Sequence, residues 1–492
     1  MTTNNFPPGP KGHLLIGNLW ELNQQRMGFL VNLGNTYGDI AHFRLGPRRH
    51  GYMLNNPEYI HYVLVKNASK FNKGPALKRT GGNLIGNGLL SSEGDFHKRQ
   101  RKLMQPAFHT KRVTSYSEVM VDYTLRLLDT WQAGEHRDMH DEMMKLTLEI
   151  VAKTLFDADV SGDAEAIGEA VTIGIDAVNE RAGRPFALPR WVPTPKNQQR
   201  NAAAALLDET ISSIIDERRA SGEDKGDLLS MLLLAVDEES GGQMSKEQAR
   251  AEAMTLFIAG HETTANALAW TWYLLAKHPE VEAELMVELA RVLEGRAPTF
   301  EDLAHLPYTE MVIKEAMRLY PPAWLLSRMA IEDVSIGGYD LPKESLIFIS
   351  PYAMHHDARY FANPERFDPE RFAPDRAKEI PSYAYFPFGG GPRVCIGQSF
   401  AMMEAKLILA SIAQRYQFGL EPGYQAELDP TLTLRPCDGI PMHLATRELP
   451  TCPVHAHDYA HDRDQAHDQD ALPTYSSYPA STGGCPMHQM AQ

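Results

Sequence analysis

A chain of 492 residues with 43% apolar content can bury a large core, and by length alone it allows two or three domains. Its formal charge of −15 speaks against nonspecific nucleic-acid binding or an anionic membrane surface as its main business. Four cysteines, at 395, 437, 452 and 485, follow no framework spacing, which fits a reducing cytoplasm better than a disulfide-stapled secreted protein.

The N-terminus, Met-Thr-Thr-Asn-Asn-Phe-Pro-Pro-Gly-Pro, has no charged start followed by an apolar run, so no signal peptide is predicted. No stretch of 18 or more apolar residues occurs, so no membrane span is expected and the protein reads as soluble and cytoplasmic. Residues 39–45 and 50–54 alternate around Gly46-Pro47 and predict a hairpin. Helical patterns follow at about 113–133, 139–156, 162–182, 197–220, 246–277, 280–294, 308–319 and 397–415. Short strands are predicted at 333–337, 346–349 and 441–446. Between 184 and 193 the prolines forbid helix, leaving either a loop over an entrance or a helix connection packed by Phe186 and Trp191. Residues 1–447 therefore read as one mainly α unit with small β-sheets. Residues 448–492, rich in His, Asp, Gln, Ser and Pro, read as a disordered His/Asp-rich tail. Its two C-P-x-H repeats, at Cys452 and Cys485, suggest soft-metal or haem capture or incidental cysteines in a flexible end.

The segment Phe386-Pro-Phe388-Gly-Gly-Gly-Pro-Arg393-Val-Cys395-Ile-Gly397 carries the most chemistry. A cysteine between a glycine-rich turn and a helix start is surrounded by backbone N–H groups that favour the thiolate. The glycines let the backbone pass close to a planar group, and Phe388 can shield the sulfur. Such a thiolate suits the axial position of haem iron. Further back, Ala259-Gly-His-Glu262-Thr263-Thr sets a carboxylate and a hydroxyl on one face of an otherwise apolar helix. Thr263 can bond back to the Ala259 carbonyl and open a notch, with Gly260 reducing bulk there. Glu315 and Arg318 have i,i+3 spacing just before Pro321-Pro322.

The cysteine segment matches F-G-x-G-x-R-x-C-x-G, and the chain resembles the cytochromes P-450 through four stretches spanning roughly residues 6–447. The motifs are similar to those in the haem domain of bacterial fatty-acid hydroxylases. The resemblance implies the cytochrome P-450 fold, with haem b between the long central helix and the helix after the cysteine loop. Cys395 would be the iron ligand, Glu262 and Thr263 the acid–alcohol pair that manages protons for O2, and Ala259 a residue over the haem. His97, Arg101, Arg328 and Arg393 match the propionate contacts, and Glu315, Arg318 and Arg371 a buried structural cluster holding the haem loop. Substrate contacts fall in residues 72–90, the loop near 185, and Ala323, Trp324, Leu325 and Leu326. Arg48 and Tyr52 stand roughly where those hydroxylases hold a carboxylate.

The activity implied is a monooxygenase acting on a fatty acid, terpenoid or carotenoid-like molecule. Electrons from NAD(P)H would arrive through a ferredoxin or flavodoxin-type donor with its reductase, since no flavin or iron–sulfur region is present. Lys98, Arg99 and Lys102 form either a solvated face or a docking patch for an acidic donor. Two alternatives share the haem site: a peroxide-driven peroxygenase and a haem sensor or carrier.

Overall fold

The computed structural model describes residues 5–74, 85–183, 191–234 and 244–447. Its axis is the helix Lys246–Lys277. The Ser245 hydroxyl caps the first turn by accepting from the Gln248 N–H at 3.2 Å. Most side chains from Ala249 to Leu275 are buried, as expected of a helix that is apolar all round. Pro279 ends it and opens the next helix, Pro279–Leu293, where a missing N–H costs nothing.

The helix Met139–Phe156, capped by the Asp138 carboxylate, packs along this axis. Thr147 Oγ1 donates across the contact to the His261 carbonyl at 3.0 Å. A Cβ at Gly260 would lie 2.9 Å from Val151 Cγ2. Gly260 therefore serves helix–helix packing, which corrects the expectation that it clears the notch near Thr263. The cysteine helix, Gln398–Arg415, is buried almost throughout its last three turns and runs straight into the strand Tyr416–Leu420.

Among the described residues the strands form four small sheets. The largest has the order Ile40–Arg44, His50–Leu54, Leu346–Ile349, Leu326–Ala330, Phe71–Asn72, with one parallel pairing, between the second and third strands. A three-stranded sheet joins His136–Asp138, Pro441–Thr446 and Tyr416–Leu420. Two hairpins complete the set, Val334–Ile336 with Tyr339–Leu341 and Leu428–Pro430 with Leu434–Pro436.

The expected long helices are present within a few residues of their predicted ends. Several elements were not expected. Leu19–Gln24 and Arg26–Tyr37 meet at Gln25, whose non-helical backbone interrupts the period. Leu228–Leu234 is seven residues of almost unbroken apolar character, with no period to read. Leu326–Ala330 contains no β-branched residue and is a strand because it is paired on both sides. Residues 184–190, 75–84 and 448–492 lie outside the described residues. Trp191 is 82% exposed, so it does not pack the connection as one reading expected.

Candidate functional site

Gly391 sits at φ +66°, and a Cβ there would stand 1.9 Å from the Leu64 carbonyl oxygen, so only glycine lets the loop press against this segment. The Cys395 N–H donates to the Phe388 carbonyl at 3.0 Å, folding the loop back on itself. Phe388 packs against the main core, and Leu326 lies over Gly389. The sulfur faces an opening, yet it is deep enough that burial raises the thiol pKa. The Gly397 N–H and the Arg101 charge pull the other way without prevailing. The backbone N–H at the helix start thus favours the thiolate in the expected direction, and burial outweighs it.

What fixes this loop is a buried chain of contacts. Arg318 Nε and Nη2 donate to the two oxygens of Glu315 at 2.7 and 2.8 Å, and Arg371 Nε reaches Glu315 at 3.2 Å. Arg318 and Glu315 are both fully buried. The sequence did not point to His355, which extends the chain. Its Nε2 accepts from the Phe386 N–H at 3.1 Å and its Nδ1 lies 3.2 Å from the Arg318 carbonyl. That pattern requires the neutral ring with the proton on Nδ1. Burial holds the ring well below its usual pKa, as this tautomer needs.

Beside the loop lies an excess of positive charge. Arg393 Nη1 donates to the Ser92 carbonyl at 2.7 Å and Nη2 pairs with Glu93. The Lys73 N–H donates to Glu93 Oε1 at 2.7 Å and its Nζ to the Leu90 carbonyl at 2.7 Å. Arg328 is buried, and its Nη1 donates to its neighbour's carbonyl, Ser327 O, at 2.9 Å. Arg101 donates to the Val394 carbonyl at 2.8 Å, and His97 is buried one turn before it. Burial and then Arg328 and Arg393 bring Lys73 down to about 7, with Glu93 opposing. Burial and then Arg393 lower Arg328 to about 10. Burial, Arg393, Lys73 and Arg101 lower His97 to about 3, so its ring is neutral. Among the described residues Glu93 is the one carboxylate acting on Lys73, Arg328 and Arg393. Lys73 and Glu93 were not singled out from sequence, because neither belongs to a local pattern.

On the central helix Ala259 is exposed and Thr263, one turn on, is half-exposed, within an otherwise buried stretch. This stripe is an opening in the interior. Thr263 Oγ1 donates to the Ala259 carbonyl at 2.9 Å. Glu262 turns elsewhere: its Oε1 accepts from Thr433 Oγ1 at 2.7 Å, and it is buried. Thr433 also accepts from Asn266, which meets His140 at 2.9 Å. Burial raises the Glu262 carboxyl to about 7, against the Thr433 bond and the charge of Arg435. Arg435 pairs in turn with Asp176 at 2.7 Å, nearer the surface. The hydroxyl and the carboxylate expected side by side thus have different partners.

Residues 7–437 match the family model described as Cytochrome P450. The chain belongs to the cytochrome P450 family. It is 41% identical over 427 residues to cyclooctatin synthase of Streptomyces melanosporofaciens, covering 86% of this chain and 92% of that one. It is 39% identical over 412 residues to cyclooctat-9-en-7-ol 5-monooxygenase of the same organism, covering 83% and 88%. Pentalenene oxygenase of Streptomyces avermitilis is 34% identical over 427 residues, covering 86% and 94%. As a P450 the chain is a haem-thiolate monooxygenase that inserts one oxygen atom of O2 into a lipophilic small molecule, with electrons supplied by a redox partner.

The residues present fit the haem of a P450. A group with two carboxylates answers the positive excess around Lys73, Arg328 and Arg393, and iron answers the cysteine that faces an opening. Lys98, Arg99 and Lys102 lie on the exposed face of the helix Gly94–Met104, where Lys98 pairs with Asp95. No helix among the described residues is long and apolar enough to cross a membrane.

Two substrate expectations are corrected. Trp324 is 1% exposed, and its Nε1 donates to the Thr431 carbonyl at 2.9 Å, so it belongs to the core while Ala323, Leu325 and Leu326 are half-buried. Arg48 lies exposed in the hairpin turn, whereas Tyr52 is fully buried between strands. The hairpin does not bring the two together, because the turn carries Arg48 beyond the last strand pair.

Proposed function

We propose that this P450 oxidises a terpenoid, and that Cys395 would hold the iron of haem b. The observation that carries the ligand reading is the cysteine facing an opening beside buried, under-neutralised cations. Lys73, Arg328 and Arg393 would hold the propionates, with His97 and Arg101 completing the cradle and Phe388 and Ala259 bordering the ring. Neutral His97 can donate one hydrogen bond without adding charge. When bound, haem supplies the binding and reduction of dioxygen. The chain's own part is to deliver protons and exclude water. Thr263 stands at the opening with its hydroxyl bonded to the Ala259 carbonyl, and would offer its oxygen to a proton carrier there. Glu262, at about 7, carries a proton part of the time at neutral pH and can pass it on. Arg435 and Asp176 lie outward of it and mark the side from which a proton would return, the arginine staying charged and acting only through its field.

The terpenoid class rests on the relatives named for cyclooctat-9-en-7-ol and pentalenene, both terpenoids, and on the apolar half-buried residues Leu325 and Leu326. The electrons would come from NAD(P)H through a ferredoxin or flavodoxin-type protein, whose acidic face suits Lys98, Arg99 and Lys102 in a chain of charge −15.

The ligand is tested by the ferrous–CO spectrum: Cys395→Ala and Cys395→His are expected to lose the red-shifted band, and its persistence would place the ligand elsewhere. Thr263→Ala and Glu262→Gln are expected to keep that band while diverting electrons from product to peroxide; unchanged coupling in both would remove the proton role. Spectral titration with cyclic terpene alcohols against fatty acids decides the substrate class, a tighter response to fatty acids counting against it.

A further inference from the structure

The three-stranded sheet carries a cluster on its exposed face that the haem chemistry does not use. His443 on Pro441–Thr446 lies directly opposite His136 on one neighbouring strand and Gly419 on the other. Glu421 directly follows the end of that strand, Tyr416–Leu420, and its carboxylate reaches both rings. His136 Nδ1 and His443 Nε2 both approach the same oxygen, Glu421 Oε1, at 2.9 and 3.2 Å. The two ring centroids are 3.8 Å apart at an interplanar angle of 67°.

We propose that His136, Glu421 and His443 bind a divalent first-row transition metal ion, with Zn2+ the suitable probe. Zinc bonds of about 2.0–2.2 Å to nitrogen and oxygen put neighbouring corners of a tetrahedron about 3.3 Å apart. Two of the three edges here are close to that length, and all three ligand atoms lie within 4.8 Å of one another. The third edge closes by rotating exposed imidazole rings. Both rings crowd a single carboxylate oxygen while standing almost in contact. One ion would bridge all three groups and relieve that crowding.

Two imidazoles and a carboxylate favour zinc, copper or nickel over calcium or magnesium, which prefer oxygen ligands. Side-chain exposures of 58, 41 and 41% leave the remaining positions to water. The ion would tie the strand leaving the cysteine helix to the strand entering Met139–Phe156.

Chelator-treated full-length holoprotein is dialysed against Zn2+, with Mg2+ as the control, and the metal is counted. Wild type is expected to hold about one zinc more than His136→Ala or His443→Ala, and to melt at higher temperature with zinc than without. Glu421→Gln, which preserves size and polarity, is expected to weaken that zinc at least about tenfold. Histidines and cysteines beyond Arg447 also ligate zinc, so the comparison is between variants and not against zero. Equal zinc content and equal thermal response in wild type, His136→Ala, His443→Ala and Glu421→Gln would overturn the proposal. If an alanine variant fails to fold, zinc-edge absorption of the wild type and Glu421→Gln decides. Loss of an ordered two-imidazole shell in the variant supports the site, and an unchanged shell overturns it.

Discussion

Glu315, Arg318 and Arg371 form a buried charge cluster that is closed, while Lys73, Arg328 and Arg393 form one that is open. In the first, the Arg318 donors go to Glu315 and to the His355 and Arg366 carbonyls, and Arg371 reaches Glu315 and the Asn363 carbonyl. In the second, the charges lower one another's pKa and Glu93 opposes them alone. A buried charge without a partner costs several kcal/mol, so a chain keeps an open cluster only where something outside it completes the balance. Glu315 and Arg318 are fully enclosed, whereas Arg393 and Glu93 keep 14 and 24% of their side-chain surface. Surplus charge and a shallower setting together separate the ligand site from the scaffold.

The largest test breaks the closed cluster. Arg318→Ala removes the partner of a fully buried carboxylate and is expected to cost roughly 3–5 kcal/mol of stability, read by denaturant unfolding. His355→Phe should cost less, about 1–3 kcal/mol, since it strands only neutral groups, the Phe386 N–H and the Arg318 carbonyl. A loss under about 1 kcal/mol for Arg318→Ala would mean that the cluster does not hold the loop.

The open cluster should respond differently. Arg328→Ala is expected to leave the apoprotein as stable as before or slightly more so, because it removes a like-charge neighbour of Lys73. Arg393→Ala also gives up the Ser92 and Glu93 bonds and is expected to cost about 1–3 kcal/mol. Each would cost haem retention about 1.5–3 kcal/mol, the usual worth of a hydrogen bond to a charged group. Haem transfer to an acceptor protein measures the loss. Apoprotein that unfolds in either variant would make the cradle a second scaffold.

How far this contrast could be read beforehand depends on range along the chain. Glu315 with Arg318, and Ala259 with Thr263, are three and four residues apart and share a helix face, so their geometry follows from spacing. Arg371 was reached through motif resemblance. Glu93, Lys73, Thr433, Arg435 and His355 come from loops, a three-residue strand and a five-residue helix far from their partners, and nothing local marks them. Trp324 shows the same limit for apolar groups, since a core tryptophan and a pocket tryptophan look alike in sequence. The long helices were legible because burial imposes a period; Leu326–Ala330 was not, because its strand state is imposed by neighbours.

A smaller effect sharpens the open cluster through pH. Lys73 is lowered from 10.5 to about 7, so between those values the unfolded chain holds a proton that the folded chain has released. Apoprotein stability should therefore rise with pH across that window, and the like-charge penalty should be complete below about 7. Lys73→Gln is expected to flatten this rise, and so is bound haem, whose carboxylates restore the charged lysine. A slope unchanged by the substitution would assign the titration to another group.

The smallest effect concerns a hydroxyl enclosed in the core and a cation left outside it. Tyr52 is fully buried, its hydroxyl faces Ser345 without reaching a hydrogen bond, and burial pushes its pKa up to about 12. To grip a substrate carboxylate together with exposed Arg48, the ring would have to leave the core, at a cost of about 2–3 kcal/mol in lost burial. Tyr52→Phe removes a polar atom that has no partner, so stability should hold or rise by up to about 1 kcal/mol. Binding of fatty acids and terpenes, followed by the spectral shift, should change by less than about twofold, because less than about 0.4 kcal/mol of contact is at stake. A tenfold loss confined to fatty acids would show that the tyrosine turns outward on binding, and would move both the hairpin and the substrate class back to the carboxylate reading.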